Sequence, residues 1–214
     1  VMADHKVTLT RWWVLLLFSY AEALQGLMWM TFSSVPHSSK AYLEVHNATL
    51  SLILNIGPIA FVACSPCATW LLNRQGGMRH AMLLGCLMLL AGSVLRCVPS
   101  LLAGSSQPIG RDELWWVLLA QAINAAVAPL FEPAPAFLAQ TWFPPHQRSI
   151  ATSMAGASNA AGRAVGFFVG PAMVHQAVDM PRFLYLHIVA AAVLVAAAVV
   201  HYPSHPGTPP SSSA

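Results

Sequence analysis

The sequence contains few charged residues: Asp, Glu, Lys and Arg make up only 8% of its 214 residues. Soluble domains contain about 25%, so an ordinary soluble domain is excluded. The net charge of +3 is spread over short loops. That does not fit the basic patch of a nucleic-acid-binding protein, so we expect no nucleic-acid partner. The 4 cysteines lie in or beside apolar runs and predict small packed side chains rather than a disulfide framework.

Patterns typical of enzymes and metal sites are also missing. There is no H-E-x-x-H motif and the 9 histidines are mostly in loops, so we expect no metal site and no cofactor. An intramembrane aspartyl protease needs two aspartates at membrane depth, but the aspartates all fall in predicted loops: Asp4, Asp112 and Asp179. Ser158 has no histidine at the centre of a predicted span to act as its base. We therefore expect no catalytic residue and no enzyme.

What the sequence does contain is long apolar runs. They are long enough for helices that cross a bilayer, which takes about 20 residues, and they do not alternate in polarity as β-barrel strands do. The sequence predicts an all-α membrane protein, with a bundle of six transmembrane helices over residues 11–202. The predicted spans are 11–35, 48–72, 81–102, 114–142, 149–174 and 183–202. Residues 1–10 are expected to form a cytoplasmic N-terminus, and residues 203–214 a disordered Pro/Ser-rich tail.

The first predicted span carries a polar stripe. Steps of three and four residues place Glu22, Gln25 and Trp29 on one helix face, whereas the other faces are apolar. A carboxyl at membrane depth is costly and normally faces a bundle interior or an aqueous cavity. The stripe therefore predicts a spanning helix with one wet side. Two alternatives stay open: a carboxyl that only hydrogen-bonds a neighbouring helix, and a tryptophan that only marks the membrane interface.

The fourth span carries both polar residues and prolines. Gln121 and Glu132 share one helix face, and Asn124 lies beside them. The prolines of this span are Pro129, Pro133 and Pro135. Because each proline removes a backbone donor and clashes with the preceding turn, we expect a kink or a break. Such breaks are tolerated where they border protein or a water-filled cavity.

The fifth span combines small residues with a charge. A ridge that lets another helix approach closely consists of Gly162, Gly166 and Gly170. Arg163, four residues after Asn159, lies near the middle of the span and is too deep to reach the interface easily. Only two acidic residues lie at membrane depth, Glu22 and Glu132. We therefore expect Arg163 to pair with one of them.

The turn after the second span is similar to a cytoplasmic motif of the major facilitator transporters, G-x-x-x-D-R-x-G-R-R. Asn73 stands where the acid is usual, Arg74 follows it, and Arg79 lies at the end of the turn. Gly166 and Gly170, followed by proline, match the start of the G-x-x-x-G-P motif in the fifth helix. The resemblance implies structural or coupling roles for these residues. It also implies that the chain is one half of a fold with twelve spans in two halves, with the substrate site between the halves.

Within that superfamily, nearly the whole chain resembles solute carrier family 49. This family contains the feline leukaemia virus receptors and the disrupted in renal cancer protein. The segments that carry the resemblance are 11–29, 57–61, 92–99, 141–152, 167–171 and 202–203.

The resemblance implies uptake of a small organic solute at a lysosomal or plasma membrane. The solute is choline in the virus-receptor members and pyridoxine in the renal-cancer member, and an aromatic residue at the position of Trp29 stacks on the ammonium. Ala160 replaces a glutamine of the choline carriers, which favours a pyridoxine-like vitamin over a choline-like cation. The candidate substrate contacts are Glu22, Gln25, Trp29, Gln121, Asn124, Glu132 and Asn159. Glu22 is the candidate proton-coupling group.

The resemblance also implies partners. The predicted bundle corresponds to the N-terminal six-helix half, and alternating access requires an opposing bundle. We therefore expect either a missing C-terminal half or a second copy of the chain, in addition to the lipid bilayer and the solute. The alternative is a truncated, non-transporting membrane scaffold or regulatory subunit.

Overall fold

The computed structural model describes residues 9–103, 109, 113–203 and 205–206. The described part of the chain contains helices and turns and no strand, which confirms the predicted all-α class. Residues 1–8 of the predicted N-terminal segment, and most of the predicted tail, lie outside the described residues. The helices are α1 (Thr10–Trp29), α2 (Pro36–Leu43), α3 (Asn47–Leu72), α4 (Gly77–Ala103), α5 (Leu114–Phe131), α6 (Ala134–Trp142), α7 (Pro145–Met173) and α8 (Met180–His201).

Four helical segments of the described chain are long and apolar enough to cross a membrane. They are Asn47–Leu72, Gly77–Leu102, Leu114–Phe131 and Ala177–His201. They correspond to α3, α4, α5 and α8, the last extended by a short 3-10 turn. Helices α1 and α7, which carry Glu22, Gln25, Trp29 and Asn159 of the predicted site, are not among them. The prediction of six spans is therefore confirmed in helical character but not in number.

The first predicted span ends earlier than expected. Helix α1 stops at Trp29 instead of continuing to residue 35. The hydroxyl of Thr31 donates to the carbonyl of Met28 at 2.7 Å, and the hydroxyl of Ser34 donates to that of Thr31 at 3.3 Å. Such local hydrogen bonds offer the backbone an alternative to the helical ladder. The chain then forms α2 where the sequence predicted a loop, because Pro36 is suited to the first turn of a helix.

The fourth predicted span is broken, as the prolines indicated. Helix α5 ends at Phe131 and α6 begins at Ala134, with Pro133 preceding the second helix. Pro129 is accommodated inside α5. The break places Glu132 between the two helices, at a point where a proline has removed the backbone donor that would continue the ladder.

The bundle holds two apolar cores. The first includes Phe18, Leu89 and Phe131, and the second includes Phe32, Cys97 and Phe183. Along α4, α5 and α8, fully or almost fully buried polar residues fall between the members of one core and the members of the other. These residues are Ser93 and Arg96 on α4, Gln121 and Asn124 on α5, and His187 on α8. The interior is therefore layered, with a polar layer between apolar ends.

The glycine ridge of α7 receives α1. A Cβ atom at Gly162 would overlap the backbone carbonyl of Ala23, and one at Gly170 would overlap the hydroxyl of Ser34. At Gly166 a Cβ atom would lie 3.0 Å from the Cβ of Met30. The pairing of α1 with α7 is the broadest helix contact in the described chain. It holds the two helices that carry Gln25 and Asn159 side by side.

The turn that resembles the major facilitator motif connects α3 to α4. Asn73 donates to the carbonyl of Thr69 at 2.9 Å, and the guanidinium of Arg74 lies 3.5 Å from the centroid of the Trp70 ring. Gly76 adopts a φ of +69°, a conformation that glycine reaches without steric cost. Arg79 is exposed in the first turn of α4.

Candidate functional site

A cavity of about 240 Å³ lies where α1, α3, α5 and α7 meet. Its polar lining comes from Gln25, Glu132 and Arg163, and its aromatic lining from Trp29 and Phe61. These elements belong to the first, second, fourth and fifth predicted spans. Three of the predicted contact residues, Gln25, Trp29 and Glu132, therefore line one space.

The indole of Trp29 fits against a glycine of the neighbouring helix. A Cβ atom at Gly57 of α3 would overlap the outer edge of the Trp29 ring. The tryptophan is half-buried, so one part of the ring packs on α3 while another part lines the cavity. Glycine is needed at position 57 because any side chain would displace the ring.

A line of amide groups joins α7, α1 and α5 beside the cavity. The side-chain nitrogen of Asn159 donates to the Gln25 Oε1 at 2.6 Å and to the backbone carbonyl of Glu22 at 3.1 Å. The nitrogen of Gln25 in turn donates to the backbone carbonyl of Asn124 at 3.3 Å. At the other end, Arg163 Nε donates to Asn159 Oδ1 at 2.8 Å. Asn159 therefore links the charged arginine to the amide of Gln25.

The predicted pairing of Arg163 takes an indirect form in the structure. Within the described residues, its hydrogen bond goes to Asn159 and not to either carboxylate. The Glu22 carboxyl interacts electrostatically with Asn159, Glu132 and Arg163, so the four groups share one electrostatic environment. Glu22 itself is only 4% exposed and lies behind the cavity, whereas Glu132 and Arg163 are exposed. Direct pairing stays a prediction.

Two predicted contacts point into the bundle interior instead of the cavity. Gln121 and Asn124 are both fully buried. Gln121 accepts a hydrogen bond from Arg96 at 2.6 Å. The face predicted for this helix reaches the cavity through Ala125 and Ala128, together with Glu132 just beyond its end. When a helix is buried on two sides, its neighbouring residues face different environments. Periodicity alone does not show which side faces the cavity.

The sequence interpretation missed Arg96 and His187. Arg96 falls within the third predicted span and was not among the candidate contacts, yet its side chain is completely buried. His187 was not considered, although it lies inside α8 and is 1% exposed. The signal was present in both cases, because an ionisable residue within an apolar run indicates a functional or structural role.

The comparison with known proteins decides the family. The sequence matches the family model of the Major Facilitator Superfamily over residues 8–214. The chain belongs to the Major Facilitator Superfamily. Membership of this superfamily of membrane transporters confirms that the chain is a multi-pass membrane protein and not an enzyme.

The chain is also similar to individual proteins within this superfamily. The solute carrier family 49 member 4 homolog of Xenopus tropicalis is 31% identical, with 95% of the chain and 46% of that protein covered. Solute carrier family 49 member A3 of the same species is 27% identical, with coverages of 95% and 42%. The choline/ethanolamine transporter FLVCR1 of Mus musculus is 31% identical, with coverages of 77% and 28%. These matches confirm the predicted likeness to solute carrier family 49. The chain spans about half the length of the first of these relatives, and less of the others.

Proposed function

We propose that the chain forms the N-terminal six-helix half of a carrier for a small organic solute. The observation that carries the proposal is the cavity between α1, α3, α5 and α7, which brings Trp29, Gln25 and two opposite charges around about 240 Å³. Pockets for drug-sized ligands measure about 300–1,000 Å³. The space therefore suits a solute of few heavy atoms, or one half of a site that a second bundle completes.

The lining favours a flat or cationic solute. The indole face of Trp29 offers cation–π attraction to a choline-like ammonium and stacking to a pyridoxine-like ring. Glu132 supplies an opposite charge for a cation, and Gln25 supplies an amide for a hydroxyl group. The similarity to a choline/ethanolamine transporter supports the same class of solute.

The exposed charges support an opposing bundle. Glu132 and Arg163 are exposed on the described chain, although the surrounding helices are apolar. Charged groups at membrane depth normally face a bundle interior or water rather than lipid. We infer that this face is covered in the functional protein by a C-terminal half or by a second copy, with an aqueous cavity between the bundles. The proposed location is a lysosomal or plasma membrane.

Uptake into proteoliposomes tests the proposal. Two preparations are compared, one with this chain alone and one with this chain and the C-terminal part of a solute carrier family 49 relative, each with radiolabelled choline and pyridoxine. We expect saturable uptake in at least one preparation, and uptake by the chain alone would indicate a second copy as partner. Absence of uptake of both solutes from both preparations would favour the alternative, a non-transporting scaffold or regulatory subunit, which the half-length match makes reasonable.

We propose Glu22 as the proton-coupling group. Its carboxyl is buried behind the cavity and shares an electrostatic environment with Glu132 and Arg163, so a change in its protonation alters the charge felt at the site. Glu22→Gln keeps the shape of the side chain but cannot titrate. We expect the variant to take up solute at a rate that no longer depends on the external pH.

The matched control for this prediction is Glu113→Gln, which changes an acidic residue preceding α5, away from the cavity. Uptake by this control is expected to keep the pH dependence of the unchanged protein. If Glu22→Gln also keeps it, Glu22 has no part in coupling.

A further inference from the structure

Arg96 is a fully buried guanidinium held by neutral groups. Its Nη1 donates to the backbone carbonyl of Met28 at 2.9 Å and to the hydroxyl of Thr31 at 3.1 Å. Its Nη2 donates to Gln121 Oε1 at 2.6 Å. Within the described part of the chain, none of its hydrogen bonds goes to a carboxylate. A buried charge is costly unless it is hydrogen-bonded, so these bonds fix the side chain firmly.

Two of the three acceptors of Arg96 lie where α1 ends. The last carbonyls of a helix have no intrahelical donor and carry partial negative charge, which a cation stabilises. Met28 lies in that last turn, directly before Trp29, the final residue of α1. The ring of Phe32, just beyond the turn, lies 5.7 Å from the guanidinium. Arg96 therefore compensates the C-terminal end of α1 and fixes the backbone from which the Trp29 side chain extends.

A second link joins α1 to α5 one turn earlier. Gln25 donates to the backbone carbonyl of Asn124, whereas Arg96 connects the end of α1 to Gln121 on the same helix α5. The two cavity residues of α1, Gln25 and Trp29, are thus each placed by a hydrogen bond at or next to their own position. No residue of α4 is among those that line the cavity, so Arg96 acts on the site through α1 and α5.

We propose that Arg96 is a positioning residue for solute binding, which sets the orientation of Trp29 by holding the Met28 carbonyl. The predicted effect of Arg96 on solute binding rests on the proposed function, whereas its effect on the orientation of Trp29 does not. Loss of the guanidinium lets the last turn of α1 shift, and the indole then leaves its place against Gly57. A lysine at position 96 keeps the charge but cannot reproduce the forked donors, so it restores the arrangement only in part.

Fluorine NMR on the whole chain labelled with fluorotryptophan tests whether Arg96 sets the orientation of Trp29. The resonance of Trp29 is assigned by its loss in Trp29→Phe, and the other six of the 7 tryptophans serve as internal references. In Arg96→Met we expect the Trp29 resonance to shift or broaden, while that of Trp70, on α3 and stacked on Arg74, stays in place. Arg96→Lys should give an intermediate effect. The matched control is Ser100→Ala, a buried α4 hydroxyl that donates to Cys97 and should leave Trp29 unchanged.

The kinetics of radiolabelled choline uptake test whether Arg96 also affects solute binding. In the preparation that shows uptake, Arg96→Met is expected to raise KM about tenfold, as when much of a cation–π contact is lost, with a smaller change in the maximal rate. If Arg96→Met does not fold, Thr31→Val, which removes one acceptor of Arg96, must still move the Trp29 resonance. The proposal would be overturned if the Trp29 resonance did not move in any folded variant of Arg96 or Thr31. It would also be overturned if the resonances of all tryptophans shifted equally. Failure of the unchanged protein to take up either choline or pyridoxine would count against the proposed function alone, because the NMR result does not depend on solute.

Discussion

Replacing Gly162 with alanine is expected to lower the melting temperature of the purified chain sharply. The added Cβ atom would overlap the backbone carbonyl of Ala23 on α1, and backbone atoms cannot move aside as the end of a flexible side chain can. The approach is equally close from the other helix, since a Cβ at Gly26 would overlap the backbone carbonyl of Asn159. Overpacking costs about 1–3 kcal/mol and occasionally more. Because domains are stable by only about 5–15 kcal/mol, the melting temperature should fall sharply.

Gly156 provides the matched control on the same helix. A Cβ at this position meets no atom within 4 Å, so Gly156→Ala gains helix propensity, about 1 kcal/mol, without a clash. Thermal unfolding and size-exclusion chromatography in detergent compare the two variants. The close contact of α1 with α7 is disproved as a determinant of stability if Gly162→Ala melts at or above the temperature of Gly156→Ala.

Replacing Gly57 with alanine is expected to weaken solute binding as strongly as removing the Trp29 side chain itself. The new methyl group would overlap the indole, which must then turn away from its place in the cavity. Cation–π attraction contributes about 0.5–2 kcal/mol, so choline affinity should fall by about twofold to thirtyfold in either variant. The double variant should lose little more, since residues in contact give non-additive effects.

Competition binding with radiolabelled choline and pyridoxine provides the measurement. Trp70→Ala is the control, because this tryptophan also belongs to α3 but is exposed and stacks on Arg74 outside the cavity. Additive losses in the double variant would mean that Gly57 acts on binding without Trp29. An affinity unchanged in Gly57→Ala but reduced in Trp29→Ala would mean that the ring finds an equivalent position.

Much of the helical arrangement could be predicted because apolar runs and prolines leave direct signals. The break after Phe131 follows from the proline-rich segment. The polar stripe of α1 was visible in the spacing of Glu22, Gln25 and Trp29, of which the structure brings the last two to the cavity. The early end of α1 was not predictable from hydropathy, because it depends on hydroxyl groups such as that of Thr31 and on a distant arginine.

The polar layer was the least predictable part of the interior. Gln121 faces Arg96 and not the cavity because α4 packs against that side of α5, and no local pattern reports which neighbour a helix will meet. His187 was overlooked although its position in an apolar run was visible. Residues of this kind are recognised from sequence only when every ionisable group in a span is treated as a candidate.

The break at Pro133 also divides the fourth span between two mechanical groups. Helix α5 packs on α3 and α4, whereas α6 packs mainly on α7 and has little contact with α5. A bend at this break, next to Glu132, would therefore move α6 together with α7. A tilt of the fifth span would move the far half of the fourth span without disturbing the half that lines the cavity.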